Sequence, residues 1–199
     1  IRDRLRSRGL GDVYKRQSKD STRTLAVIES DAKSVEKSVA ALQETGDKSL
    51  FNEVTKTDEN GNKTTGYDTD AIYKAVKNFT DSYNSLIDEV GNSNTKSILR
   101  AGASMVNVTE ANRKSLSDIG ISIGADNKLT IDEEKFKKTD MSKVKAMFAD
   151  SSYYGTEVKR QAGRAESYAK SEAAKANTYQ KSGSYTYNYR TGELYNSTI

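Results

Sequence analysis

The sequence predicts a mainly α-helical protein: an elongated bundle of long amphipathic helices with one or two small β-hairpins. Three observations carry that expectation. Apolar residues recur at steps of three and four over long stretches, the spacing of a helix stripe. In one central stretch the period changes to two on either side of a turn. Hydrophobic residues make up only 34% of the 199 positions, a composition that suits narrow seams between long elements better than one thick core.

The elements follow in order. Leu25, Ile28, Ala32, Val35, Val39 and Leu42 form a continuous stripe and predict a helix over about 20–45, with Gly46 as its C-cap. Residues 49–57 read as a strand. Asn60-Gly61 is a two-residue turn signal, and the return runs to Tyr67, giving a hairpin near 49–67 that is polar on both faces and expected to be exposed. Asp68 or Thr69 caps a second helix over about 70–90, striped by Ile72, Val76, Phe79, Tyr83, Leu86 and Val90 and closed by Gly91.

A third, weaker helix over about 95–106 turns Ile98, Gly102 and Met105 inward, and Thr109 is expected to recap a short fourth piece carrying Leu116 and Ile119. Ile119, Ile121 and Ile123 then alternate, as do Leu129 and Ile131 after a turn, which predicts a hairpin near 119–131 with its isoleucines on one face. Asp132 caps a helical turn through Phe136, and Asp140 caps another with Val144, Met147 and Phe148. The last long helix, about 155–179, carries Val158, Ala162, Ala165, Ala169, Ala173 and Ala176, a seam small enough for close helix approach but poor in buried area. Tyr185, Tyr187 and Tyr189 alternate with polar residues, so a tyrosine-rich terminal hairpin is expected over 182–199. The expected organisation is thus a bundle over 18–181 flanked by segments 1–17 and 182–199.

The net charge of +4 is local. Arg2, Arg4, Arg6, Arg8, Lys15 and Arg16 against Asp3 and Asp12 account for all of it, so the remainder is neutral. Such an opening could serve as an arm for nucleic acid. It has no apolar period, however, and residues 6–17 resemble a translated sequencing adapter. Residues 1–17 are therefore expected to be non-native or disordered and to lie outside the fold, and no nucleic-acid partner is expected.

Composition also bounds the chemistry. The chain contains no His, Cys, Trp or Pro. That excludes a Ser-His-Asp triad, a thiol nucleophile, an ordinary zinc site and a disulfide. The longest aliphatic run, residues 25–28, is far too short for a membrane span. Residues 58–62 glance at a calcium loop, but Lys63 stands where the loop needs glycine and Thr69 where it needs glutamate. Asp132, Glu133 and Glu134 are the acidic first turn that a helix dipole favours. No catalytic, cofactor-binding or metal-ligating residue is expected, no cofactor is called for, and the chain is read as a non-enzyme.

Two stretches resemble a known family. Phe79-Thr80-Asp81-Ser82-Tyr83-Asn84-Ser85-Leu86-Ile87 is similar to the F-x-x-x-Y-N-x-L helix of the bacterial flagellar hook-associated protein 2 family, the filament cap. Leu116-Ser117-Asp118-Ile119-Gly120-Ile121-Ser122-Ile123, followed by Leu129-Thr130-Ile131-Asp132-Glu133-Glu134-Lys135-Phe136, resembles that family's L-x-x-I-G-I and G-x-L-x-I-D-E-x-x-F stretch. The motif residues are thus Asn84, Leu116, Ile119, Gly120, Ile121, Leu129, Ile131, Asp132 and Phe136, within a similarity over roughly 68–150. Asn127 stands where the family has a turn glycine, a substitution that asparagine tolerates at positive φ. The tyrosine-rich end departs from the family's long terminal helix.

The resemblance implies a structural, non-enzymatic, cap-like subunit that self-associates helix to helix at the flagellar filament. It implies an extracellular location, export without a cleavable signal peptide, and partners among its own copies, flagellin and the hook-filament junction proteins. A cell-surface coiled-coil or adhesin-like module unrelated to flagella is the alternative. For either, the residues expected to carry association are the stripe positions Leu25, Ile28, Val35, Val39, Leu42, Ile72, Val76, Phe79, Tyr83, Leu86 and Val90.

Overall fold

Helix α1 (Thr22–Leu42) begins where the Ser21 hydroxyl accepts the Thr24 N–H at 3.0 Å, one of the donors that a helix start leaves orphaned. A computed structural model of the protein describes residues 18–57, 63–149 and 152–176. Segment 1–17, the turn expected at Asn60-Gly61 and the tyrosine-rich hairpin expected over 182–199 lie outside the described residues.

The α1 stripe is buried along its whole length, Leu25 through Leu42. Its end differs from expectation. Gln43, not Gly46, is the C-cap, its N–H bonding to the carbonyls of Val39 and Ala40, both at 3.0 Å. Gly46, at φ +65°, instead opens a 3₁₀ turn (Gly46–Lys48). The Asn52 amide donates to the Gly46 carbonyl at 2.7 Å and Phe51 turns into the core, so the chain is not yet a strand at residues 49–52. Strand β1 (Glu53–Thr57) then pairs antiparallel with β2 (Lys63–Tyr67), Glu53 facing Tyr67. Their described side chains are largely exposed, as a hairpin polar on both faces requires.

Asp68 starts α2 (Thr69–Gly91) by accepting the Ala71 N–H, and the stripe from Ile72 to Val90 is buried. Helix α3 (Lys96–Ala111) runs further than expected. Thr109 does not recap a new piece; its hydroxyl bonds back to the Met105 carbonyl at 3.0 Å, which keeps it inside the helix. Asn112 separates α3 from α4 (Arg113–Asp118). Strands β3 (Ile121–Ile123) and β4 (Leu129–Ile131) pair Ile121 with Ile131 and Ile123 with Leu129. Asn127 closes the turn at φ +63°. Asp132 and Asp140 cap α5 (Glu133–Lys138) and α6 (Met141–Phe148), and α7 (Tyr153–Ala176) ends the described chain.

Helix α1 packs against α2 on one side and α7 on the other, and α7 packs also against α3. The α1–α7 pair is antiparallel with a constant register: Glu29 lies level with Lys170, Lys33 with Glu166, Glu36 with Gly163 and Gln43 with Thr156. The alanine seam permits this, because Val158, Ala162, Ala165 and Ala169 are all buried between neighbours. Gly102 lets α3 meet α2 at Val90: a Cβ there would stand 2.3 Å from Val90 Cγ1. Phe79, Phe148 and Tyr154 close the centre, with ring centroids 5.2–6.1 Å apart in edge-on arrangements.

Candidate functional site

The motif residues converge on one knot where α4, β3, β4 and α5 meet α2. Asn84 reaches across from α2: its Nδ2 donates to the Leu129 carbonyl at 2.8 Å and its Oδ1 accepts the Leu129 N–H at 2.7 Å. Gly120 sits at φ +85°, and a Cβ there would lie 3.0 Å from the Phe136 nitrogen and 3.2 Å from the Asp132 carbonyl. Its carbonyl accepts the Asp132 N–H at 2.8 Å, which ties the entry of β3 to the start of α5. Only glycine meets both demands, positive φ and a backbone at contact distance.

Leu116, Ile119 and Phe136 are fully buried, Ile121 and Leu129 nearly so, and Ile131 is partly buried against the same core. The Phe136 ring packs on Tyr73 of α2 with centroids 5.7 Å apart, and Lys137 lies 5.3 Å over the Tyr73 ring. Lys137 also pairs with Asp70 and Glu133 at 2.8 and 2.7 Å, and those partners hold its pKa above the usual lysine range. Asp132 spends its carboxylate on the Lys135 N–H at 3.0 Å. Every motif residue is thus occupied by packing or by a backbone hydrogen bond.

The eleven stripe residues are placed inside the chain itself. From Leu25 to Leu42 and from Ile72 to Val90 each is at most 3% exposed, covered by the chain's own α1, α2, α3 and α7. The partner helix that each stripe needs is an intrachain one.

One buried cluster escaped the sequence reading. Asp20, just ahead of α1, accepts from the Asn94 N–H at 2.6 Å, the Thr95 hydroxyl at 2.6 Å and the Ser93 hydroxyl at 2.7 Å. It thereby clasps the loop between α2 and α3. Burial alone would raise its pKa, but the bonds from Asn94, Thr95 and Ser93 outweigh it and hold the carboxyl below the ordinary value of 3.8. The only sequence signal is an aspartate beside Ser21, which reads as helix capping.

Among the described residues, no group of three or more acids is placed to hold a metal ion, and no helix is long and apolar enough to cross a membrane. Fold and knot together define a packing module, built of intrachain stripes and side chain-to-backbone ties. A family model described as flagellar hook-associated protein 2 C-terminus matches residues 92–198, and the chain belongs to that family. This is a family of structural flagellar components rather than enzymes, and it does not favour an adhesin-like module. The match continues through the tyrosine-rich end that motif similarity had set apart, and it starts after Asn84. Neither the search of curated proteins nor that of solved structures returned a match.

Proposed function

We propose that this chain is a cap-like structural subunit, which associates with its own copies and with flagellin and hook-filament junction proteins at the outer end of the flagellum. The observation that carries the reading is the family match over residues 92–198. The knot supports it, since the residues that resemble the family's motif are those that join α4, β3, β4 and α5 to α2. Passage through the flagellar export channel without a cleavable signal belongs to the same reading.

Association in this reading uses the outer faces of the helices, because the stripes are occupied within the chain. Size exclusion with light scattering at high micromolar concentration tests it, together with imaging of the labelled chain on flagellin filaments. The expected outcome is a mass several times 22.0 kDa and label confined to filament ends. A stable monomer that ignores filament ends contradicts the reading.

A further inference from the structure

The seam between α1 and α7 contains a carboxyl group that the fold does not satisfy. Glu36 of α1 lies over Gly163 of α7, where a Cβ would stand 3.4 Å from its Oε1 and 3.6 Å from its Cδ. That oxygen is buried and meets no donor among the described residues. An ionised carboxylate is acceptor-only and is costly to bury unpaired, whereas a protonated one supplies its own donor.

The charges around it explain why no lysine fills the gap. On α1, Lys33 pairs with Glu29 at 2.8 Å and stands 3.9 Å from Glu166. On α7, Lys170 pairs with Glu166 at 2.7 Å and stands 3.9 Å from Glu29. Lys159 Nζ reaches the side-chain Oε1 of Gln43 at 3.5 Å. On α2, the other neighbour of α1, the charge of Glu89 acts on Asp31. Glu166 stands three residues beyond Gly163, on the same face of α7, and lies 3.9 Å from Lys33 of α1, so its carboxylate shares the side of the seam that Glu36 enters.

We propose that Glu36 and Glu166 share one proton across the α1–α7 seam, the hydrogen residing on Glu36 and donated to Glu166, so that the seam tightens in mild acid and loosens towards neutral pH. Burial, and then Glu166, raise the Glu36 pKa above its ordinary value of 4.5, against the opposing pull of Lys159 and Lys170. An acid whose native pKa is raised contributes stability that is complete below the unfolded value and is lost as pH rises through the native one. The clasp therefore holds below pH 4.5 and releases above the raised native value.

Thermal unfolding of the full chain between about pH 4.5 and 7.5 tests this, comparing wild type with Glu36→Gln, whose amide donates without needing a proton. The expected result is a Tm for Glu36→Gln about 2–4 °C above wild type near pH 7.5, with the gap closing towards pH 4.5. Asp31, raised to about 6 by burial and by Glu89, adds its own pH slope. The Glu36→Gln gap must accordingly persist in an Asp31→Asn background. A Tm lowered by Glu36→Gln at neutral pH, or a gap that does not change with pH, would overturn the proposal. A carboxyl ¹³C titration of the wild-type chain is the second readout: a Glu36 midpoint above the ordinary glutamate range supports the shared proton, and one at or below that range refutes it.

Discussion

The amide of Asn84 on α2 pairs with both backbone groups of Leu129 on β4, at 2.8 and 2.7 Å, across 45 residues of sequence. One edge of β4 is paired with β3. At Leu129, Asn84 occupies the other as a further strand would. A side chain that satisfies a strand's donor and acceptor at once fixes both the register and the height of the hairpin on α2.

Asn84→Ala should therefore destabilise the protein by about 1–3 kcal/mol, because it leaves two partly buried backbone groups unpaired. Asn84→Asp keeps the acceptor for the Leu129 N–H but sets a carboxylate oxygen against the Leu129 carbonyl. It should therefore also destabilise at neutral pH and recover part of that loss in acid, where the protonated carboxyl can donate. Urea unfolding of the three proteins measures the order. Equal stability of Asn84→Ala and wild type would show that the amide bonds contribute nothing.

Gly120 and Asn127 both sit at positive φ but differ in their surroundings. Gly120→Ala should cost about 1–3 kcal/mol, since the new Cβ meets the Phe136 backbone as well as a strained φ. Asn127→Gly should stay within about 0.5 kcal/mol of wild type, as only the local conformation is at stake. Thermal melts of the two variants make the comparison.

Gly102→Ala should destabilise by about 1–3 kcal/mol through overpacking against Val90. Trimming the obstacle should restore part of that loss, so the pair Gly102→Ala with Val90→Ala should lose less than the sum of the single changes. A double-mutant cycle reads the coupling directly, and strict additivity would place the two side chains out of contact.

Asp20→Asn should lower stability at neutral pH by about 2–3 kcal/mol, because four donors then face a neutral amide instead of a carboxylate. The native pKa of Asp20 is depressed, so its contribution is present above pH 3.8 and is lost as pH falls through the lower native value. Wild type and variant should consequently converge in strong acid. A stability difference that persists unchanged there would contradict the clasp.

The stripes were legible because burial imposes its period on each helix separately: every stripe position from Leu25 to Val90 faces the interior. Boundaries were less so. Gly46 carries the glycine signal of a helix end, yet Gln43 finishes α1 with ordinary backbone bonds, and Thr109 continues α3 by bonding to its own helix. The motif residues could be named from family resemblance, but the Asn84–Leu129 tie could not be read from periodicity, which sees only neighbours. The same holds for Asp20, whose partners lie 73 to 75 residues away. Where a polar side chain spends its hydrogen bonds is a property of tertiary approach: α2 must meet β4, and the start of α1 the α2–α3 loop, before these ties exist.

Circular dichroism on serial dilution, followed until light scattering reports the monomer, tests most directly the claim that the stripes are filled within one chain. Helical content should stay constant through that range, because each stripe residue keeps its intrachain cover. Loss of helix as the chain becomes monomeric would mean that the seams are completed between molecules instead.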